Sequence, residues 1–198
     1  MKKGNSLKRY DTVFAAFALV LGMLMGWMAY DLSGYGLVGV LIGNIGLWVF
    51  ASALLAFHSQ SGLGAAINTF VYFAGVIGFY YLHVMFAGGE VGLWTFIRPL
   101  VWAVIGAIIG FLVWYAGAKE WLGAICAAIP ISLLIAESYP LIHGLQWALV
   151  FDVVCAVILY LLLCNGKLQR LMALPCIIVL VVALVYFDAF GRIFGGWI

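Results

Sequence analysis

The chain has 198 residues, of which 68% are hydrophobic and only 8% charged, and its formal net charge is +2. A soluble domain carries about 25% charged residues, so this sequence lacks the polar surface needed to meet water on every side, and so small a charge gives no basis for a nucleic-acid partner. Alternating strand-length patterns are missing, which argues against an outer-membrane β-barrel.

The apolar residues come in runs of about 20, the length at which an α-helix rising 1.5 Å per residue crosses a hydrocarbon core of about 30 Å. The fold class expected is therefore all-α: a polytopic transmembrane helical bundle, with residues 1–198 as a single integral-membrane domain. Residues 1–11 carry Lys2, Lys3, Lys8 and Arg9 and read as a basic cytoplasmic segment. The run that follows, about residues 12–30, is long for a signal core and ends in no small-residue cleavage motif, so it reads as a retained first span. Within it Ala18, Gly22 and Gly26 are four apart, a face suited to close helix packing.

After a turn at residues 31–34, the second span covers about 35–57. Gly36, Gly39, Gly43 and Gly46 form a stripe along it, with Asn44 one residue off the stripe and Trp48 a turn further on. The loop at 58–62 leads to a third span, about 63–86, which ends in an aromatic belt including Tyr80, Tyr81 and His83. A fourth span, about 93–114, contains Arg98-Pro99 near its start and Gly106 and Gly110 further in. The fifth, about 121–137, is short and reads as interrupted by Pro130. A Pro140–Gly144 break precedes the sixth, about 145–164. A polar turn at 165–170 precedes the seventh, about 171–187, and a tail with Arg192 closes the chain.

With the N-terminus inside, Lys2, Lys3, Lys8, Arg9, Lys119, Lys167 and Arg170 fall on the inner side and only Arg98 and Arg192 on the outer. That asymmetry is the one the positive-inside rule requires. Seven spans then leave the N-terminus in the cytoplasm and the C-terminus outside, in a cytoplasmic (inner) membrane.

This topology places His83, Glu90, Arg98, Glu137, His143, Gln146, Asp152, Asp188 and Arg192 in the outer half. At 1.5 Å per residue, Glu137, His83 and Asp188 lie about at the outer boundary, Arg98 roughly 8 Å below it, and Asp152 and Asn44 on the order of 12 Å below it. Asp152 is the deepest ionisable residue and shares its face with Ala148, Cys155 and Ala156, so it points into the bundle. A buried carboxylate needs a partner or a proton. Arg98, flanked by Trp94 and Trp102, is the basic residue at the nearest level, and an Arg98–Asp152 pair in an outward-open cavity is one expectation. The other is that Arg98 reaches up to headgroups while Asp152 hydrogen-bonds a neighbouring helix. Glu137 reads either as a helix cap or as a proton-exchange partner of His143.

Cys126, Cys155, Cys164 and Cys176 form no C-x-x-C pair and read as packing residues. His58 falls on the opposite side from His83 and His143, so no three-histidine metal site is read, and no cofactor is implied. No catalytic constellation is read either. Ser132 has only His143 across the Pro140 turn and no supporting motif.

At Asn44-x-x-x-Trp48, Gly78-Phe-Tyr-Tyr81 and Ala136-Glu137 the chain resembles a family of small bacterial integral-membrane proteins of unknown function. That resemblance implies a membrane fold and no activity. In size and architecture it is also similar to the substrate-binding components of energy-coupling-factor vitamin transporters, which have an externally open pocket. Those have six spans, and no vitamin-binding motif is present here. The leading expectation is small-solute binding or transport in the bilayer, as an oligomer or with a partner membrane subunit. The binding residues would be Arg98, Asp152, Asn44, Gln146, Glu137, His143, His83, Tyr80 and Tyr81. The alternatives are a non-catalytic scaffold or accessory subunit and, third, an intramembrane enzyme acting on lipid.

Overall fold

A chain this apolar can satisfy its backbone polar groups only internally, and all the regular structure among the described residues is helical. The computed structural model describes residues 3–118, 120–139 and 147–187. In order the helices are α1 (Lys3–Asp31), α2 (Gly36–Gly43), α3 (Ile45–Phe57), α4 (Gly62–Phe86), α5 (Leu93–Trp114), a 3-10 turn (Tyr115–Gly117), α6 (Glu120–Glu137), α7 (Trp147–Leu163) and α8 (Lys167–Tyr186).

Among the described residues, five stretches are long and apolar enough to cross a membrane: Thr12–Asp31, Gly62–Phe86, Leu93–Gly117, Glu120–Glu137 and Lys167–Tyr186. The pair α2 and α3 makes a sixth if it counts as one span, and Leu149–Leu163 is a shorter apolar helix. Each of the seven expected runs thus contains helix, and among the described residues five or six have the full length and composition of a span.

Three local expectations are corrected. The second run is not one helix: it breaks at Asn44 and bends by 54°. The glycine stripe is split with it. Gly39 lies against the backbone of Leu32 and Ser33, Gly46 against Asp152, and nothing approaches Gly36 or Gly43. Pro130, by contrast, does not interrupt α6, which runs through it with the proline buried. The polar turn before the last helix is also shorter than expected, because α8 begins at Lys167 after Gly166, whose φ of 98° is a glycine conformation.

The helices gather into two compact units. The first contains α1, α2, the part of α3 from Ser52 onward, α4 and α5. Here α1 packs on α4 through glycine. A Cβ on Gly22 would run into the carbonyl of Tyr72, one on Gly26 into that of Val76, and one on Gly75 into the backbone of Leu19 and Met23. Gly110 of α5 meets Thr69 and Ala65 in the same way, while Gly106 meets the ring of Phe73. Such backbone approach is the kind of packing that would hold helices together in lipid, where there is no hydrophobic drive between them.

A polar knot ties one end of this unit. Ser59 Oγ donates to the Leu55 carbonyl at 2.8 Å and accepts from Asn68 Nδ2 at 2.9 Å, and Trp114 Nε1 donates to the Ser59 carbonyl at 3.0 Å. Ser61 caps α4 by accepting from Gly64 N at 3.0 Å.

The second unit contains Asn44–Ala51, the 3-10 turn, α6, α7 and α8, with α6 packed on both α7 and α8. Its α7–α8 turn closes by hydrogen bonds. Arg170 donates through Nε to the Cys164 carbonyl at 3.3 Å and through Nη2 to that of Leu161 at 3.2 Å, and Tyr160 OH donates to the Arg170 carbonyl at 3.0 Å. The last carbonyls of α7 would otherwise lack donors. Buried Gln169 accepts from Asn165 N and donates to the Ala116 carbonyl, both at 2.8 Å.

Two predictions test the glycine packing and an orphaned hydroxyl. Gly22→Ala should lower stability by about 1–3 kcal/mol, because the methyl meets backbone that cannot yield, whereas Gly78→Ala, which meets nothing within 4 Å, should be neutral or stabilising by up to about 1 kcal/mol. Tyr72 is fully buried and its hydroxyl has no hydrogen-bond partner, so Tyr72→Phe should raise stability by about 1 kcal/mol. Thermal unfolding in detergent micelles measures all three.

Candidate functional site

The site begins with a residue unsuited to a helix interior. Asn44 is preceded by Gly43 and takes a non-helical conformation between α2 and α3. Its Oδ1 accepts from Gly46 N at 3.3 Å and so caps the new helix. Its Nδ2 donates to both oxygens of Asp152, at 2.9 and 2.8 Å. The two roles fix one amide orientation, because a carboxylate takes only the NH₂ side and the backbone N–H only the oxygen side.

Asp152 lies in the second turn of α7 and has 0% of its surface exposed. Its carboxyl rests against Gly46, where any Cβ would collide with it. Glycine is therefore required at 46 for the α3 backbone to come this close. Glu137, the last residue of α6, lies within electrostatic reach of Asp152 and of the backbone N–H groups of Ile45 and Gly46. The first turn of α3, whose N–H groups have no partner inside the helix and whose dipole end is positive, thus faces two carboxyl groups.

All these residues belong to the second unit. No ion pair forms among the described residues, so the donors on both carboxyls are neutral. Two carboxyl groups within electrostatic reach of each other, with no basic side chain paired to either among the described residues, make this an acidic centre. Among the described residues no group of three His, Cys, Asp or Glu side chains could hold a metal ion, and the four cysteines are free.

Of the expected binding residues, the structure brings together Asn44, Glu137 and Asp152. His83, Tyr80, Tyr81 and Arg98 belong to the first unit. There His83 Nδ1 is 2.9 Å from the Phe79 carbonyl, and its ring lies 5.8 Å from that of Tyr30. Tyr80 meets Tyr30 and Tyr81 edge-on, and Tyr81 meets Phe96. Arg98 is exposed on α5. His143 and Gln146 lie outside the described residues, and so does the expected Glu137–His143 relation.

Sequence reasoning missed the part played by Ile45 and Gly46. The signal was present: an asparagine flanked by glycines in an apolar run marks a helix break as readily as a packing stripe. Gln169 was also passed over, although a glutamine is buried only when its amide is satisfied.

No protein-family profile, curated protein or solved structure matches the chain.

Asn44→Ala removes the cap and both donors to a buried carboxyl, and should cost about 3 kcal/mol or more. Gly46→Ala should cost a comparable amount by pushing Asp152 aside. Thermal unfolding of the two variants beside wild type measures this, and an unchanged midpoint for both would mean that the break is not held by Asp152.

Proposed function

We propose that this chain is a multi-span protein of a cytoplasmic membrane that binds or moves a small solute, with Asn44, Glu137 and Asp152 as its polar centre. In this reading α1, the bent pair α2–α3, α4, α5, α6, α7 and α8 are the spans, and the lysine and arginine asymmetry sets the N-terminus in the cytoplasm. The observation that carries the reading is the broken helix, whose α3 half turns its N-terminus on two carboxyl groups. Ionisable groups within apolar spans are costly and mark solute and proton pathways more often than ornament. Discontinuous helices are also where secondary transporters place their solute sites. The centre is acidic with neutral donors, so the solute that suits it is a proton or a small cation.

A second reading, an accessory or scaffold subunit, is favoured by one specific fact: both Asp152 oxygens are already taken by Asn44. The two readings part on Glu137→Gln. Reconstituted into liposomes with an entrapped pH-sensitive dye, wild type should dissipate an imposed proton or sodium gradient, and Glu137→Gln should slow that to the rate of protein-free vesicles while leaving the protein folded. Wild type no faster than protein-free vesicles, with Glu137→Gln reducing only thermal stability, would support the accessory reading instead.

A further inference from the structure

A second charged feature belongs to the first unit. On α5, Trp94, Arg98, Val101, Ile105, Ile108 and Leu112 recur at helical spacing, and each is exposed. The stripe is apolar except for one guanidinium. Arg98 carries five N–H donors, yet it has no hydrogen-bond or ion-pair partner among the described residues. Glu90, the acid nearest to it in sequence, is exposed in the turn before α5 and makes no ion pair with it. Trp94, one turn toward the start of the helix, is 71% exposed.

On an apolar stripe of a membrane span these five donors need an acceptor, because hydrocarbon offers none. Arg98 lies five residues into α5, about 8 Å along the axis, and an arginine side chain reaches back over that distance to the interface. What lies at that level is the phosphate of a phospholipid. A guanidinium binds phosphate through a bidentate fork, and an exposed tryptophan one turn outward has its place in the headgroup layer. The lone positive charge has no counter-ion among the described residues, so the lipid that would neutralise it carries net negative charge. A zwitterionic lipid brings its own ammonium.

We propose that the Trp94–Arg98 face of α5 is a binding site for an anionic phospholipid, its phosphate held in the Arg98 guanidinium fork. The inference rests on the reading above that α5 lies in a membrane, and on nothing at the Asn44–Asp152 centre.

Native mass spectrometry of the full chain, released from detergent with added phosphatidylglycerol or phosphatidylcholine, tests it. Wild type should retain phosphatidylglycerol in preference to phosphatidylcholine. Arg98→Gln should weaken that retention by about tenfold, and Arg98→Lys should keep part of it, since lysine offers charge without the fork. Inorganic phosphate at the same concentration should not displace the lipid. Equal retention by Arg98→Gln, equal retention of phosphatidylcholine, or displacement by inorganic phosphate would each overturn the proposal. If the expressed chain leaves membranes under alkaline carbonate washing, the membrane reading falls and this inference with it. If Glu137→Gln fails to alter gradient dissipation while lipid retention still depends on Arg98, only the solute reading falls.

Discussion

A carboxyl group with no exposed surface, set in an apolar helix, has to be supplied with donors, and the second unit is arranged around meeting that demand for Asp152. One amide does it. Asn44 gives its NH₂ to both oxygens and its carbonyl to the next helix, so satisfying the acid and breaking the span are the same act. The break then leaves the first N–H groups of α3 without partners inside the helix, and Glu137 lies within electrostatic reach of those of Ile45 and Gly46. Gly46 completes the arrangement, since any side chain there would displace the carboxyl it supports.

The first unit solves a different problem by different means. Its helices come together through bare backbone, with Gly22, Gly26 and Gly75 between α1 and α4 and Gly110 between α4 and α5. At one end of this unit Ser59, Asn68 and Trp114 form a hydrogen-bonded cluster. Tyr72 and Thr69 instead carry two buried hydroxyls without hydrogen-bond partners. The exposed stripe of α5 adds a third kind of polar placement, in which Arg98 has no acceptor among the described residues.

Much of this was legible before any coordinates. Counting residues from the span ends put Asn44 and Asp152 at one depth, and the structure joins them, in line with the expectation that Asp152 hydrogen-bonds a neighbouring helix and not with the one that paired it with Arg98. The physical reason is simple: an amide can serve both carboxylate oxygens without bringing a second buried charge. Gly22 and Gly26 were readable as a packing face because four-residue spacing is a property of one helix. The stripe from Gly36 to Gly46 failed because that same arithmetic assumes an unbroken helix. Pro130 failed the other way, since the sequence shows a missing N–H but not the packing that lets α6 continue through it.

The sequence by itself determined the class and the segmentation. Composition and run length require apolar helices, and turn residues place their ends to within a few positions. Which helices touch, and which polar groups meet, only the tertiary structure decided. Asn44 and Asp152 are 108 residues apart, and no local pattern encodes a contact across that distance. Pairing at such separation depends on how α6, α7 and the start of α3 pack, and packing is settled by side-chain shape and by the cost of leaving a buried polar group unserved.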